Sequence, residues 1–353
     1  MSVFDHADFD NHQMVAFKSD PKSGLKAIIA VHNDILGPAM GGCRMFPYST
    51  SDAALSDVLR LSRGMTYKSA LASLPVGGGK SVIIGDPRRD KSRDLLLAMG
   101  DFIESLSGQY TTAEDSGTSV DDMAVIAERT QYAAGMIEHE KHGGDPSPIT
   151  AYGVYQGICA AVEYKYGSDL KGMKIAMQGV GNVGYHMVEM LTKAGAKVFA
   201  SDVSTKNIER VVHDFGVTEL RLDELFSANV DVLAPCALGG AINSESIDSI
   251  KAKIVAGAAN NQLKTPEMGD VMLERGILYA PDYVINSGGI IDVYYQSQDI
   301  RDTDKIEAHV LGIKKTLLEI FKRSETEAKS TSHIADALAE DILRDSLQKK
   351  KAA

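Results

Sequence analysis

The sequence predicts an α/β protein of two domains, and three observations carry that expectation. Its 353 residues suffice for two cored domains of about 100 to 200 residues each. From Lys174 onward short aliphatic runs alternate with helical patterns, as in a parallel sheet wrapped by helices. Before that, residues 138–148 break into charge, glycine and proline, which is how a linker between domains reads. The expected division is 1–140, joined by a C-terminal helix over about 331–353, and 141–330.

In the first part, Leu25 to His32 and Ser81 to Gly85 concentrate β-branched and aliphatic residues between turn formers and read as strands. Asp94 to Leu106 reads as a helix, because Leu95, Leu96, Met99, Phe102, Ile103 and Leu106 recur on one face. A second helix starts at Ser119, with Asp122 as a variant of the capping box and Val120, Met123 and Ile126 turned inward. The run Gln109 to Gly117 lies between these helices.

In the second part, Thr150 is placed to open a long helix through Tyr166. Strands are expected at Lys174 to Gln178, Lys197 to Ser201, Val230 to Ala234, Lys253 to Gly257 and Gly276 to Ala280. Past Gln298, Ile306, Val310, Ile313, Leu317 and Phe321 share a helical face, and Ile334, Leu338 and Ile342 mark a shorter segment that can pack back onto the first domain. Lys349 to Lys351 reads as a solvated tail.

Net charge of −11 and a sequence pI near 5.3 disfavour nucleic acid and anionic membranes as partners, so a small molecule is the expected one. No apolar run approaches the roughly 18 residues of a membrane span. Met1 to Asp8 lacks a charged-then-apolar signal pattern, which points to the cytoplasm. Cys43, Cys159 and Cys236 are isolated, without ligand spacing, so neither disulfides nor structural metal are expected. His139 and His142 read as part of an exposed loop rather than a metal site.

Two cations, Lys68 and Lys80, stand in the run from Arg63 to Gly85, which is otherwise largely apolar, small or glycine. An ammonium among such neighbours loses solvation and is driven to bind an anion or take a catalytic part. Gly79-Lys80-Ser81 superficially matches the end of an ATP-binding phosphate loop. That loop needs glycine at position 74, where Leu74 stands, and it needs a strand before and a helix after, whereas here the order is reversed.

A better-founded phosphate site follows the strand Lys174 to Gln178, which runs into Gly179-Val180-Gly181-Asn182-Val183-Gly184 and then into a helical pattern. Gly179 permits the tight turn, Gly181 the approach of a pyrophosphate and Gly184 close helix packing, while the helix N-terminus supplies amide donors. Asp202, at the end of the next strand, is placed to bind the adenosine ribose and to repel a 2′-phosphate, favouring NAD over NADP.

At these residues the chain resembles the glutamate/leucine/phenylalanine/valine dehydrogenase family, closest to its leucine dehydrogenase branch. The likeness rests on Gly37 to Arg44, Arg63 to Lys68, Pro75 to Lys80, Glu114-Asp115, the 179–184 glycines, Ala258 to Asn261 and Asn286 to Gly289. It implies an N-terminal substrate and oligomerisation domain and a Rossmann-type dinucleotide domain separated by a cleft. It also implies reversible oxidative deamination of an L-amino acid to a 2-oxo acid and ammonia with NAD, and a homo-oligomer.

By the same resemblance Lys68 matches the lysine that binds the substrate carboxylate, with Gly41, Gly42 and Met65 beside it. Lys80 matches the catalytic lysine that polarises the developing carbonyl and activates water, and Asp115 the carboxylate that exchanges protons with the amino group. Thr150 and Asn261 match residues on the nicotinamide side, and Cys236, Ala237, Ala258, Asn260 and Asn286 join the 179–184 turn and Asp202 in holding the cofactor.

The positions matching the side-chain pocket, Met40, Ala113, Ile290 and Val293, are all apolar, which suits leucine, valine or isoleucine. The alternative is an aromatic amino acid, since methionine is adaptable. The chain departs from the family pattern at Ser116, at Asp292 and at Tyr294-Tyr295-Gln296. A non-catalytic, nicotinamide-binding regulator is the remaining alternative. Loss of Lys68, Lys80 or Asp115 would favour it, and all three are present.

Overall fold

The computed structural model describes residues 2–136, 145–237 and 239–352. His139 and His142 lie outside the described residues. The chain divides into two compact units: residues 1–145 with 293–301 and 339–353, and residues 146–292 with 302–338.

Unit 1 is built on a five-stranded mixed sheet of order β1-β2-β4-β3-β5. Its strands are β1 (Met14–Asp20), β2 (Leu25–Asn33), β3 (Ala39–Phe46), β4 (Gly77–Ile84) and β5 (Tyr110–Glu114). The period of two along β2 supplies two buried faces. Leu25, Ala27, Ile29 and Val31 join a core with Met99, Phe102, Ile103, Met123 and Ile126. Ile28 and Ala30 join another with Ala54, Val58, Leu59 and Val82. Helix α1 (Ser51–Leu71) therefore covers one face, and α2 (Arg93–Glu104) with α3 (Val120–Ala127) the other.

Three hydroxyls start these helices. Thr50, Ser92 and Ser119 accept the backbone N–H groups of Ala53, Leu95 and Asp122, and Asp122 returns a bond to the Ser119 N–H as a complete capping box. Strand β4 begins at Gly77, earlier than the apolar pattern indicates, because the glycine run is itself extended and packed against α1. A Cβ on Gly78 would come 2.0 Å from the Thr66 backbone nitrogen.

Unit 2 carries a six-stranded sheet of order β11-β10-β9-β6-β7-β8, with every pairing parallel. The strands are β6 (Lys174–Gln178), β7 (Lys197–Ser201), β8 (Thr218–Glu219), β9 (Val232–Pro235), β10 (Ile254–Val255) and β11 (Leu278–Tyr279). Counted from β6, this is the doubly wound 3-2-1-4-5-6 arrangement, whose order reverses between β6 and β9. Helix α4 (Ser147–Tyr166) starts three residues before Thr150. Proline in its first turn presets the backbone there, and the Thr150 hydroxyl bonds the Pro146 carbonyl at 2.8 Å instead of capping the helix.

Helix α5 (Asn182–Lys193) follows β6, and α6 (Thr205–Phe215), capped by Ser204, follows β7. The apolar face from Ile306 to Phe321 is divided between two helices, Thr303–Val310 and Gly312–Glu327. The last segment is longer than its apolar pattern indicates. It forms a helix of 22 residues, Thr331–Ala352, and Lys349 to Lys351 belong to its final turn, where cations complement the helix dipole.

Candidate active site and cofactor cradle

In unit 1 the chemistry-bearing side chains gather at β3, which lies between β4 and β5. Lys80 projects from β4 and is 4% exposed, and its ammonium donates to Asp115 Oδ2. Asp115 follows the last residue of β5. Its other oxygen, Oδ1, accepts the Ser116 N–H and, at 3.3 Å, the Arg44 Nε–H. Burial alone would raise this carboxyl. The charges of Lys80 and Arg44 outweigh it and hold Asp115 well below the usual carboxylate range. The next residue back, Glu114, goes the other way, raised by burial and by the negative charges of Asp145 and Asp115.

Glycine is required where these groups converge. A Cβ on Gly42 would come 2.7 Å from Asp115 Cβ and 2.9 Å from Oδ2, and one on Gly41 would strike the Gly79 carbonyl oxygen at 1.8 Å. The Tyr110 hydroxyl, fully buried, donates to the Gly41 carbonyl at 2.8 Å and fixes this part of β3. Met40 pairs with Thr111, Gly42 with Ala113, and both Met40 and Ala113 are buried. Met65 and Lys68 are half-buried on α1, and Met65 Cγ lies 3.4 Å from the position a Gly41 Cβ would take. The structure thus brings Met40, Gly41, Gly42, Met65, Lys80, Ala113 and Asp115 to one region of unit 1.

Sequence reasoning gave no role to Arg44, Asp57 or Tyr110. Arg44 donates from Nη1 to Asp57 Oδ2 at 2.9 Å while its Nε reaches Asp115, 71 positions away in sequence. No local pattern signals such a contact.

In unit 2 the glycine turn sits at the point where strand order reverses. Gly179 has φ +92°, and a Cβ there would meet Ala237 Cβ at 2.9 Å, so the turns after β6 and β9 pack on one another. Gly184 is pressed against the Gly179 carbonyl oxygen, 2.4 Å from a hypothetical Cβ, whereas the corresponding position at Gly181 faces open space. Gly181 is also the N-cap of α5 and supplies no side chain to its first amides. Open backbone, free helix-start donors and a positive dipole end fit a pyrophosphate.

Asp202 follows β7. Its carboxylate accepts the Val180 N–H and the Ser204 N–H, each at 2.8 Å, which aims it at the glycine turn and leaves acceptor capacity for ribose hydroxyls. Cys236 N–H donates to the Gln178 carbonyl at 2.7 Å, and burial pushes its thiol up to about 12, so it is a structural thiol rather than a nucleophile.

The Asn286 amide donates to the Ala258 carbonyl at 3.1 Å and to Asn260 Oδ1 at 2.7 Å, joining three of the expected cofactor residues. Neighbouring Asn261 is left-handed, with φ 51°. Thr150 packs against Gly289, whose Cβ would lie 2.7 Å from the Thr150 hydroxyl. Ile290 and Val293 are three positions apart on the helix Gly288–Ser297. Ile290 belongs to unit 2, while Val293 belongs to the short stretch assigned to unit 1. Among the described residues no cluster of His, Cys, Asp and Glu could hold a metal, and no helix is long and apolar enough to cross a membrane.

One unit carries a doubly wound sheet with an open glycine turn and the other a buried lysine–aspartate pair, features that fit the class of nicotinamide-dependent oxidoreductases. Comparison with known proteins makes the class specific. The Glu/Leu/Phe/Val dehydrogenase dimerisation domain matches residues 11–132, and the Glutamate/Leucine/Phenylalanine/Valine dehydrogenase domain matches 145–206 and 201–340. The chain is 45% identical over 342 residues to leucine dehydrogenase of Bacillus cereus, covering 97% of this chain and 93% of that protein. It is also 45% identical over 355 residues to L-tryptophan dehydrogenase of Nostoc punctiforme, covering 100% and 99%. The crystal structure of the latter superposes with a TM-score of 0.83 at 43% identity, over 95% of this chain and 97% of that one. The chain belongs to the Glu/Leu/Phe/Val dehydrogenase family and is an amino acid dehydrogenase.

Proposed function

We propose that the protein catalyses NAD-dependent, reversible oxidative deamination of an apolar L-amino acid, with leucine, valine or isoleucine preferred, to the 2-oxo acid and ammonia. The observation that carries this reading is the buried Lys80–Asp115 pair set over the bare backbone of Gly42. Lys68 pairs with the substrate carboxylate. Asp115, held as a carboxylate by its two cations, accepts a proton from the substrate ammonium and frees the amine lone pair. A nicotinamide bound at the 179–184 turn would supply the acceptor for the hydride leaving Cα. Lys80 then orients water onto the imine carbon and stabilises the oxygen as the carbon–nitrogen bond breaks, releasing ammonia.

The 179–184 turn, Asp202, Asn260, Asn261 and Asn286 hold the cofactor, and the acidic Asp202 favours NAD. Met40, Ala113, Ile290 and Val293, the positions that match the family's side-chain pocket, are all apolar, which supports an apolar substrate. An aromatic substrate is the second reading, supported by the full-length likeness to a tryptophan dehydrogenase and by Tyr294 and Tyr295, whose rings pack 5.4 Å apart on the same helix as Ile290 and Val293. The dimerisation-domain match supports assembly as a homo-oligomer, and the free thiols of Cys43, Cys159 and Cys236 fit a reducing, cytoplasmic location. Absorbance of NADH formed across a panel of L-amino acids is the test. Activity confined to branched chains sustains the first reading, activity confined to aromatic ones the second, and activity with neither refutes both.

A further inference from the structure

Arg44 takes no part in the proposed chemistry, yet it is the second cation on the carboxylate that does. It projects from β3, is 20% exposed at its side chain, and divides its guanidinium between two acids. Nε donates to Asp115 Oδ1 at 3.3 Å and Nη1 to Asp57 Oδ2 at 2.9 Å. Asp57, on α1, also accepts the Tyr48 hydroxyl on that same Oδ2. A planar fork whose far end is clamped in this way cannot swing, so its near end presents Nε in a fixed direction.

The carboxylate it meets can rotate about a single bond, and its two oxygens have different work: Oδ2 faces Lys80, and Oδ1 faces Arg44 and the Ser116 N–H. We propose that Arg44, braced by Asp57 and Tyr48, is a positioning residue that fixes the rotation of the Asp115 carboxylate, so that Oδ2 stays beside Lys80 and open to the substrate's amino group. This rests on the reading of Asp115 as the proton acceptor. Other ionisable groups that interact with this carboxylate are Lys80 on β4, Glu114 and Tyr110 on β5, Cys43 on β3 and Tyr48 in the segment after it. Among the described ionisable groups the two cations favour its charged form, together with the Ser116 N–H, and of the two Arg44 is anchored by another acid, Asp57.

The test is a double-mutant cycle in the full-length enzyme, with kcat and KM measured at saturating cofactor. Arg44→Met should lower kcat by about 100-fold, the usual scale for a displaced catalytic group, while KM for the amino acid stays within about threefold. Arg44→Lys, which keeps one cation, should recover about tenfold of that loss. Asp57→Asn, which frees the guanidinium without removing it, should lower kcat by about tenfold and stands in if Arg44→Met does not fold.

In an Asp115→Asn background, Arg44→Met should cost less than about twofold more, because its effect passes through Asp115. Equal losses with and without the Asp115 carboxylate, an effect on KM alone, or no rescue by lysine would overturn the positioning role. Near-normal turnover of Asp115→Asn by itself would instead overturn the proton-acceptor reading beneath it.

Discussion

Lys80 and Asp115 meet across a strand to which neither belongs. Lys80 stands on β4 and Asp115 follows β5, and the intervening β3 offers Gly42 at the crossing, where any side chain would collide with Asp115. The pair therefore depends on an atom that is absent as much as on the two charges.

Gly42→Ala is the direct test of that dependence. The added methyl would stand 2.7 Å from Asp115 Cβ and 2.8 Å from the Glu114 carbonyl oxygen, closer than real contacts permit, so the aspartate and the end of β5 must both move. Turnover should fall by about 100-fold, and the crowding against β5 should cost about 1 to 3 kcal/mol of stability. Unchanged kcat would show that the aspartate tolerates displacement and so does not need this geometry.

Lys80→Ala should cut turnover by about 100-fold to 10,000-fold, the range for loss of a general acid–base group, while cofactor affinity is kept. Because Asp115 is left buried with Arg44 as its remaining cation, stability should drop by about 3 kcal/mol. Near-normal turnover, read beside cofactor titration and a denaturant curve, would sink the role given to Lys80.

Asp202→Ala should relax the preference for NAD over NADP, since the negative charge that would oppose a 2′-phosphate is gone. It should also weaken NAD binding, because the Val180 and Ser204 amides lose their common acceptor and the glycine turn loses its tie to the end of β7. The ratio of kcat/KM for the two cofactors is the measurement, and an unchanged ratio contradicts the assignment.

Acid stability gives a prediction outside the site. His32, 7% exposed, is lowered from 6.5 to about 4 by burial and by neighbouring His12, which is itself lowered by burial. A folded value below the unfolded one means that the unfolded chain takes up the proton first. The stability is thus complete above about pH 6.5 and is lost as pH falls toward 4. Each pH unit across that range is worth up to about 1.4 kcal/mol for a single such group. Tm should fall steeply between pH 7 and 4.5, and His32→Gln should flatten that slope. An equally steep fall in the variant would move the cause elsewhere.

Much of this architecture was legible in the sequence where local chemistry repeats a rule. The capping box of Ser119 and Asp122 formed as its spacing predicts, and strand, glycine turn and helix appear in order around Gly179. Strand β3 was not legible, because glycine at 41 and 42 interrupts any apolar alternation; both lie mid-strand, where neighbouring backbone and Asp115 crowd out any side chain. Strand β5 passed as a connection, its polar Thr111 and Thr112 hiding an element sealed by the fully buried Tyr110. The start of α4 was misplaced because Thr150 is a good cap by type, while Pro146 and the proline after Ser147 set the turn three residues earlier. Arg44 escaped notice for a different reason: its two acids are 13 and 71 positions away, and only the folded sheet brings them together.

The division of the chain bears on how this enzyme can be rebuilt. Unit 1 is assembled from three separate stretches, 1–145, 293–301 and 339–353, so the polypeptide passes between the units four times. The last stretch is tied to the first by the Tyr67 hydroxyl, which donates to Glu340 at 2.9 Å. Neither half is a contiguous cassette. A cofactor half lifted out as 146–338 would carry nine residues foreign to it and leave its partner without 293–301. Chimeras between relatives should therefore exchange 146–292 and 302–338 together while keeping 293–301 from the recipient, and a single crossover near residue 145 should yield mismatched hybrids.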